Sequence, residues 1–169
     1  GGLYQGQSLL IDDETHSYWD PLSGKCLTGR HAGKELEVFP VHMTSAREAT
    51  SKHQRLLAYI ADPGLAQAVF GRFGMFRMKG KGFLPPGFKG TMGGSDPRLP
   101  QMTKGLGVVV LKQARYYPEH ALEKPVVDAW GRRELQIAMR DTGFPDAMWS
   151  DGSRPLQFQC RWYGFSFSY

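Results

Sequence analysis

Leu106-Gly107-Val108-Val109-Val110-Leu111, Ala114-Arg115-Tyr116-Tyr117, Val126-Val127-Asp128-Ala129-Trp130 and the run Glu134 to Met139 follow one another along the chain, and together they decide the fold. Each is short, rich in β-branched or aromatic residues, and bounded by turn formers, which is the pattern of a β-strand. Pro118 to Leu122 is expected to form one helical turn between the second and third runs. Gly131 turns the third run into the fourth, so these two read as a hairpin. Asp151-Gly152 is the strongest two-residue hairpin signal in the chain. After it, Leu156, Phe158 and Cys160 share one face of a further strand. The final run, Trp162 to Tyr169, is aromatic enough to be buried. The predicted class is α+β, predominantly β: antiparallel meanders and hairpins with a few short helices.

The same pattern extends toward the N-terminus in shorter pieces. Ser8 to Ile11 reads as a buried strand, broken by the turn residues Asp12 to Thr15. His16 to Trp19 is extended, Pro21 to Gly24 turns, and Lys25 to Thr28 is a short strand ended by Gly29. Leu36 to Met43 reads as an edge or bulged strand, because Pro40 has no N–H to give a ladder. Ser45 and Glu48 fit a capping box, predicting a helix to about Gln54. Leu56 to Ile60 is an apolar run, and Asp62-Pro63 would cap a short helix through Val69 and Phe70.

Gly71 to Gly105 is of a different kind. It carries Arg72, Arg77, Lys79, Lys81, Lys89, Arg98 and Lys104 against a single acid, Asp96, with Phe73, Phe76, Phe83 and Phe88 interleaved. Pro85-Pro86-Gly87 and Gly93-Gly94 oppose regular structure. So long an irregular Gly/Phe/basic loop is uncommon in a compact domain and is often functional.

The 169 residues predict one soluble β-rich domain. A chain of this size buries roughly 70% of its unfolded surface, so neither metal nor disulfide is needed for folding. Its 41% hydrophobic and 22% charged residues exclude disorder across the whole chain. A net charge of +5 permits contact with acidic surfaces without requiring it. No apolar run approaches the ~20 residues that cross a bilayer, so the chain is not expected to span a membrane. Cys26 and Cys160 lie far apart and read as buried free thiols, although one bridge between them is open.

Several blocks then fall into one succession. They are Gly1 to Tyr4, the acids before Thr15, Ser17-Tyr18-Trp19-Asp20 with Gly24, and Gly29, Gly33 and Leu36. Phe83-Leu84-Pro85-Pro86-Gly87-Phe88, Asp96-Pro97-Arg98-Leu99-Pro100, Gly105 to Val108, Ala114 to Pro118 and the Trp162 block continue it. In this order the blocks resemble the bacterial family called domain of unknown function 3179. That resemblance implies an upstream segment with closely spaced cysteines, so the chain is expected to be a fragment of a longer natural domain. It also implies an extracytoplasmic location. Some relatives place histidines where this sequence has Pro21 and Thr28, so a metal site built on those positions would be incomplete here. The family supplies no catalytic residue to carry over.

The residues themselves support two functional readings. The first is a non-catalytic binding or assembly module. Its partner would be a protein, or the missing part of its own chain, held by Arg72, Phe76, Arg77, Phe83, Phe88 and Arg98. The second is a metal-binding or redox domain, with a transition metal on Asp12, Asp13, His16 and Cys26. No CxxC pair, HExxH, EF-hand loop or GxSxG elbow is present. Gly74 to Lys81 lacks P-loop spacing, and Gly82 stands where Ser or Thr is required. His31, His42 and His53 are evenly spaced, but Gly33 and Pro40 forbid the continuous helix that would align them. The basic run is read as a solvated face, so nucleic acid is not the expected partner.

Overall fold

Hydrophobic alternation places the strands. In this computed structural model, which describes residues 3–4, 7–40, 43–53, 55–57, 64, 88–94 and 96–169, the first strands are β1 (Leu3–Tyr4), β2 (Gln7–Ser8), β3 (Leu10–Asp12), β4 (Ser17–Trp19) and β5 (Cys26–Thr28). Helices α1 (Ala46–Lys52) and α2 (Phe88–Thr91) come next. Then follow β6 (Lys104–Val110), β7 (Gln113–Pro118), a 3-10 turn at Glu119–Ala121, β8 (Val126–Trp130), β9 (Arg133–Met139), β10 (Pro145–Trp149), β11 (Leu156–Arg161) and α3 (Trp162–Ser168). The class is therefore α+β and predominantly β, with all described pairing antiparallel.

The chain divides into two compact units, Gly1–Met43 with Phe88–Tyr169, and Thr44–Gly87. In the second, α1 begins as its sequence dictates: the Ser45 hydroxyl accepts from the Glu48 amide at 3.2 Å. Lys52 and Glu48 then form an i,i+4 ion pair at 2.6 Å.

In the first unit, two three-stranded sheets, β11-β6-β7 and β10-β9-β8, enclose the main core. β6 shows why. Leu106 and Val108 point to one face and are fully buried against Leu135, Ile137, Ala147, Trp130 and Trp149. Gly105 and Gly107 point to the other face, where α3 lies. A Cβ on Gly107 would collide with the Phe165 ring, and one on Gly105 would sit 2.7 Å from the Tyr116 ring. Only glycine lets the aromatic helix seat directly on the strand.

Side chains bridge the two sheets at both pairs of edges. At one, Gln157 on β11 acts as a short strand substitute. Its Oε1 accepts from the Ala147 amide at 2.8 Å, and its Nε2 donates to the Ala147 carbonyl at 3.1 Å. At the other, β7 and β8 are joined through Asp128. A third sheet, β3-β4-β5, and the β1-β2 ribbon complete the unit.

Several sequence expectations need correction. Asp151-Gly152 does turn, with Gly152 at φ 82°. It closes no hairpin, because β11 leaves β10 and pairs with β6 instead. Leu36 to Pro40 has no regular structure. One isolated bridge, Lys25 to Glu35, ties its start to the chain before β5, through the Leu36 amide on the Gly24 carbonyl at 2.9 Å and the Cys26 amide on the Lys34 carbonyl at 2.8 Å. Leu10 and Ile11 are exposed because β3 is a sheet edge; of that run, Leu9 is the buried residue. His16 is no strand residue but closes the turn at φ 50°. The terminal aromatic run buries Trp162 and Phe165 but leaves Tyr169 exposed, and residues 162–168 form helix α3. Of the long loop, 71–87 lie outside the described residues, Phe88–Thr91 is helical, and Lys104 and Gly105 already belong to β6. The short helix expected after Asp62-Pro63 also lies outside them.

Gly107→Ala is expected to destabilise the fold by about 1–3 kcal/mol through overpacking against Phe165, as measured by urea denaturation. Gly107→Ala combined with Phe165→Leu should recover part of that loss.

Candidate functional site

Strand β7 places four consecutive residues, Ala114 to Tyr117, along one groove of about 510 Å³. Asp128 of β8, Trp162, Phe165, Ser166 and Tyr169 around α3, and Arg98 and Leu99 from the loop before β6 supply the rest of its lining.

Arg115, Tyr117 and Asp128 of the groove form a closed network with the core residue Trp130 beneath it. Arg115 Nη1 donates to Asp128 Oδ2 at 2.7 Å and to the Ala129 carbonyl at 2.7 Å. The Tyr117 hydroxyl donates to Asp128 Oδ2 at 2.5 Å and accepts from the Trp130 indole at 3.0 Å. The Arg115 guanidinium lies 4.4 Å from the Trp130 ring centre. Burial opposes ionisation of Asp128, but the Tyr117 and Arg115 hydrogen bonds outweigh it and hold its carboxyl below the usual range. Burial, followed by the bond to Asp128, pushes the Tyr117 phenol up, so it stays protonated at neutral pH.

The other end of the groove repeats the device. Arg98 lies 5.0 Å from the Trp162 ring centre and pairs with Asp96 at 2.7 Å. Its side chain is 72% exposed. Asp96 is held below its usual range by the Arg98 side chain first and the Arg98 amide second. Tyr116 donates to the Thr103 and Cys160 carbonyls, both at 2.8 Å, and packs its ring between Trp162 and Phe165. Burial raises the Cys160 thiol to about 12, so it is neutral and a poor nucleophile at physiological pH.

The residues singled out from the sequence fall in several places. Asp12 accepts from the Thr15 hydroxyl at 2.5 Å and the Glu14 amide at 3.0 Å, which lower its pKa in that order. Asp13 and His16 are exposed on the same turn. Cys26 is buried and donates to the Thr28 carbonyl at 3.3 Å. Among the described residues, no three His, Cys, Asp or Glu side chains gather as a metal site would need. Both cysteines are free thiols. Of the expected partner-binding set, Arg72, Phe76, Arg77 and Phe83 lie outside the described residues, and of Phe88 only the backbone, at the start of α2, is described. Arg98 is in the groove. Arg115, Tyr117 and Asp128 were not picked out from sequence. Their one available signal was an acid in mid-strand between Val127 and Ala129.

Asp128→Asn is expected to cost about 1–2 kcal/mol near neutrality, since it removes charge-assisted hydrogen bonds from a partly exposed site. The folded-state pKa of Asp128 lies below its unfolded value. Its contribution is therefore present above the unfolded pKa and is lost as pH falls through the folded one. Denaturation curves of wild type and variant should converge in acid, and a constant gap at all pH values would contradict this account.

No helix among the described residues is long and apolar enough to cross a membrane. No curated protein and no solved structure matches the chain. One family model does, over residues 1–148, with the description "Protein of unknown function (DUF3179)". The matched span takes in β1 to β9 and nearly all of β10, and it stops short of β11 and the Trp162 block. The chain belongs to that family.

Proposed function

We propose that this chain is a non-catalytic binding module whose β7 groove receives an acidic, aromatic segment of a protein partner. The observation that carries this reading is the pair of guanidiniums, Arg98 and Arg115, that open on one groove, each laid over a tryptophan and oriented by an aspartate. Arg115 spends Nη1 on its internal bonds, and Arg98 spends Nε and Nη2 on Asp96. That leaves further donors of each fork to meet a carboxylate. Guanidiniums ordered in advance lose little rotamer freedom on binding, which favours them as interface anchors. Tyr116 and Tyr169 supply aromatic walls. The net charge of +5 favours an acidic partner over a basic one. The titration states point the same way: the groove phenols and the Cys160 thiol are held neutral, which suits recognition better than acid–base or nucleophilic chemistry.

Two fluorescent peptides of equal length, one acidic and aromatic and one basic and aromatic, provide the test by anisotropy titration. The acidic peptide should bind saturably and weaken with salt. Arg98→Ala should weaken it about fivefold or more. Arg133→Ala should not, although Arg133 makes the same stack on Trp149, because Arg133 does not line this groove. Equal binding of both peptides, or equal loss in the two variants, would overturn the proposal.

A further inference from the structure

The β6–β7 turn has a residue that the turn itself does not want. Val110 and Gln113 are paired, so the loop between them is Leu111-Lys112. Leu111 sits at φ 56°. Two-residue hairpin loops favour Gly, Asn or Asp where φ is positive, and a branched apolar side chain is disfavoured there. Leu111 is also 96% exposed. Local conformation and solvation both disfavour leucine at this position, which directs attention to a contact outside the isolated fold.

Beside Leu111 lies a groove of about 590 Å³, separate from the β7 groove except for the wall they share at Tyr169. Its apolar lining is Leu36, Val38, Val109, Leu111 and Leu156. The segment is held at Glu35 and Leu36 by the Lys25 to Glu35 bridge, one of whose bonds is Leu36 N to the Gly24 carbonyl, and Leu36 and Val38 pack so closely on Gly24 that no Cβ would fit there. The groove is thus built on ordered backbone. Within that lining Leu36 is exposed.

Its charges are Lys25, Lys112, Glu35 and Glu37, two of each sign on one patch. A surface meant for a strongly charged partner would carry one sign. Across a two-fold axis the patch faces itself, so charges of both signs on it can pair between copies. A protruding knob and a receiving groove on one patch suit the same arrangement, since each copy can insert its knob into the other. We infer that this patch is an isologous dimer interface, in which Leu111 of each copy enters the groove of a second copy and Lys112 and Lys25 face Glu35 and Glu37 across the axis. The inference does not rest on the β7 groove's binding role.

The experiment is sedimentation velocity on the full chain from about 1 to about 500 µM, where a weak dimer becomes populated by mass action. Wild type should pass from monomer to dimer. Leu111→Gly removes the knob and relieves the positive φ. It should raise the dimer dissociation constant about tenfold or more, while raising the melting temperature of the dilute monomer. Lys112→Glu should weaken the dimer, and Lys112→Glu with Glu35→Lys should restore it. Arg98→Ala should leave it unchanged. A wild type that stays monomeric throughout, or a dimer indifferent to Leu111→Gly, would overturn the inference. So would an assembly larger than a dimer, because a two-fold contact closes on itself.

Discussion

Strand β6 has a neighbour on every side, and that constraint organises the whole unit. It hydrogen-bonds to β7 along one edge and β11 along the other. Leu106 and Val108 fill the core on one face, and Gly105 and Gly107 admit Tyr116 and Phe165 on the other. A strand buried on both faces cannot alternate apolar with polar. It alternates large with absent instead. Phe165 then sets where α3 lies, α3 brings Trp162 and Tyr169, and those residues wall the β7 groove. The groove is a consequence of two missing Cβ atoms.

The residues that carry the family resemblance near the N-terminus have structural explanations of the same type. Asp20 is buried and holds its turn closed, accepting from the Leu22 amide at 3.0 Å and the Ser23 hydroxyl at 2.5 Å. Ser17 is buried and accepts from the His31 amide at 3.2 Å. Gly29 has φ 98°, and a Cβ there would meet the Ser17 backbone at 2.6 Å. Trp19 is core. These positions fix backbone geometry, which is why they form an ordered succession without adding up to a catalytic motif.

What could be read from the sequence follows from the range of the forces involved. The strands β6 and β7, the β8–β9 hairpin and the cap of α1 are set by contacts a few residues apart, so local pattern sufficed. The partner of β11 is set some fifty residues away, by the open side of β6, and Asp151-Gly152 misled because a turn signal fixes direction and not pairing. Gln157 illustrates the limit at the level of one side chain. In sequence it is a polar residue between Leu156 and Phe158, and in space it completes the hydrogen bonding of buried Ala147. The groove was equally hidden, because Arg98, Arg115, Asp128 and Trp162 come from four elements that only the finished sandwich brings together. The aromatic content of the last eight residues announced burial, whereas their helical form did not follow from it.

Among the described residues the association of arginine, aspartate and tryptophan occurs three times: Arg98 with Asp96 and Trp162, Arg115 with Asp128 and Trp130, and Arg133 with Asp151 and Trp149. All three tryptophans are buried, so the guanidinium closes the last open side of each ring while the aspartate sets its plane. Each exposed stack is worth about 0.5–1 kcal/mol. The device therefore has a structural use wherever it stands, and by itself it is no evidence of binding. Arg133 separates the two uses. It has the closest stack, at 4.1 Å, and a well-made ion pair, yet it does not line the β7 groove. What distinguishes Arg98 and Arg115 is convergence: two stacks built on different elements open on the same concave surface. The proposed binding role rests on that convergence, because a surface that holds a partner by two fixed points needs both on one side.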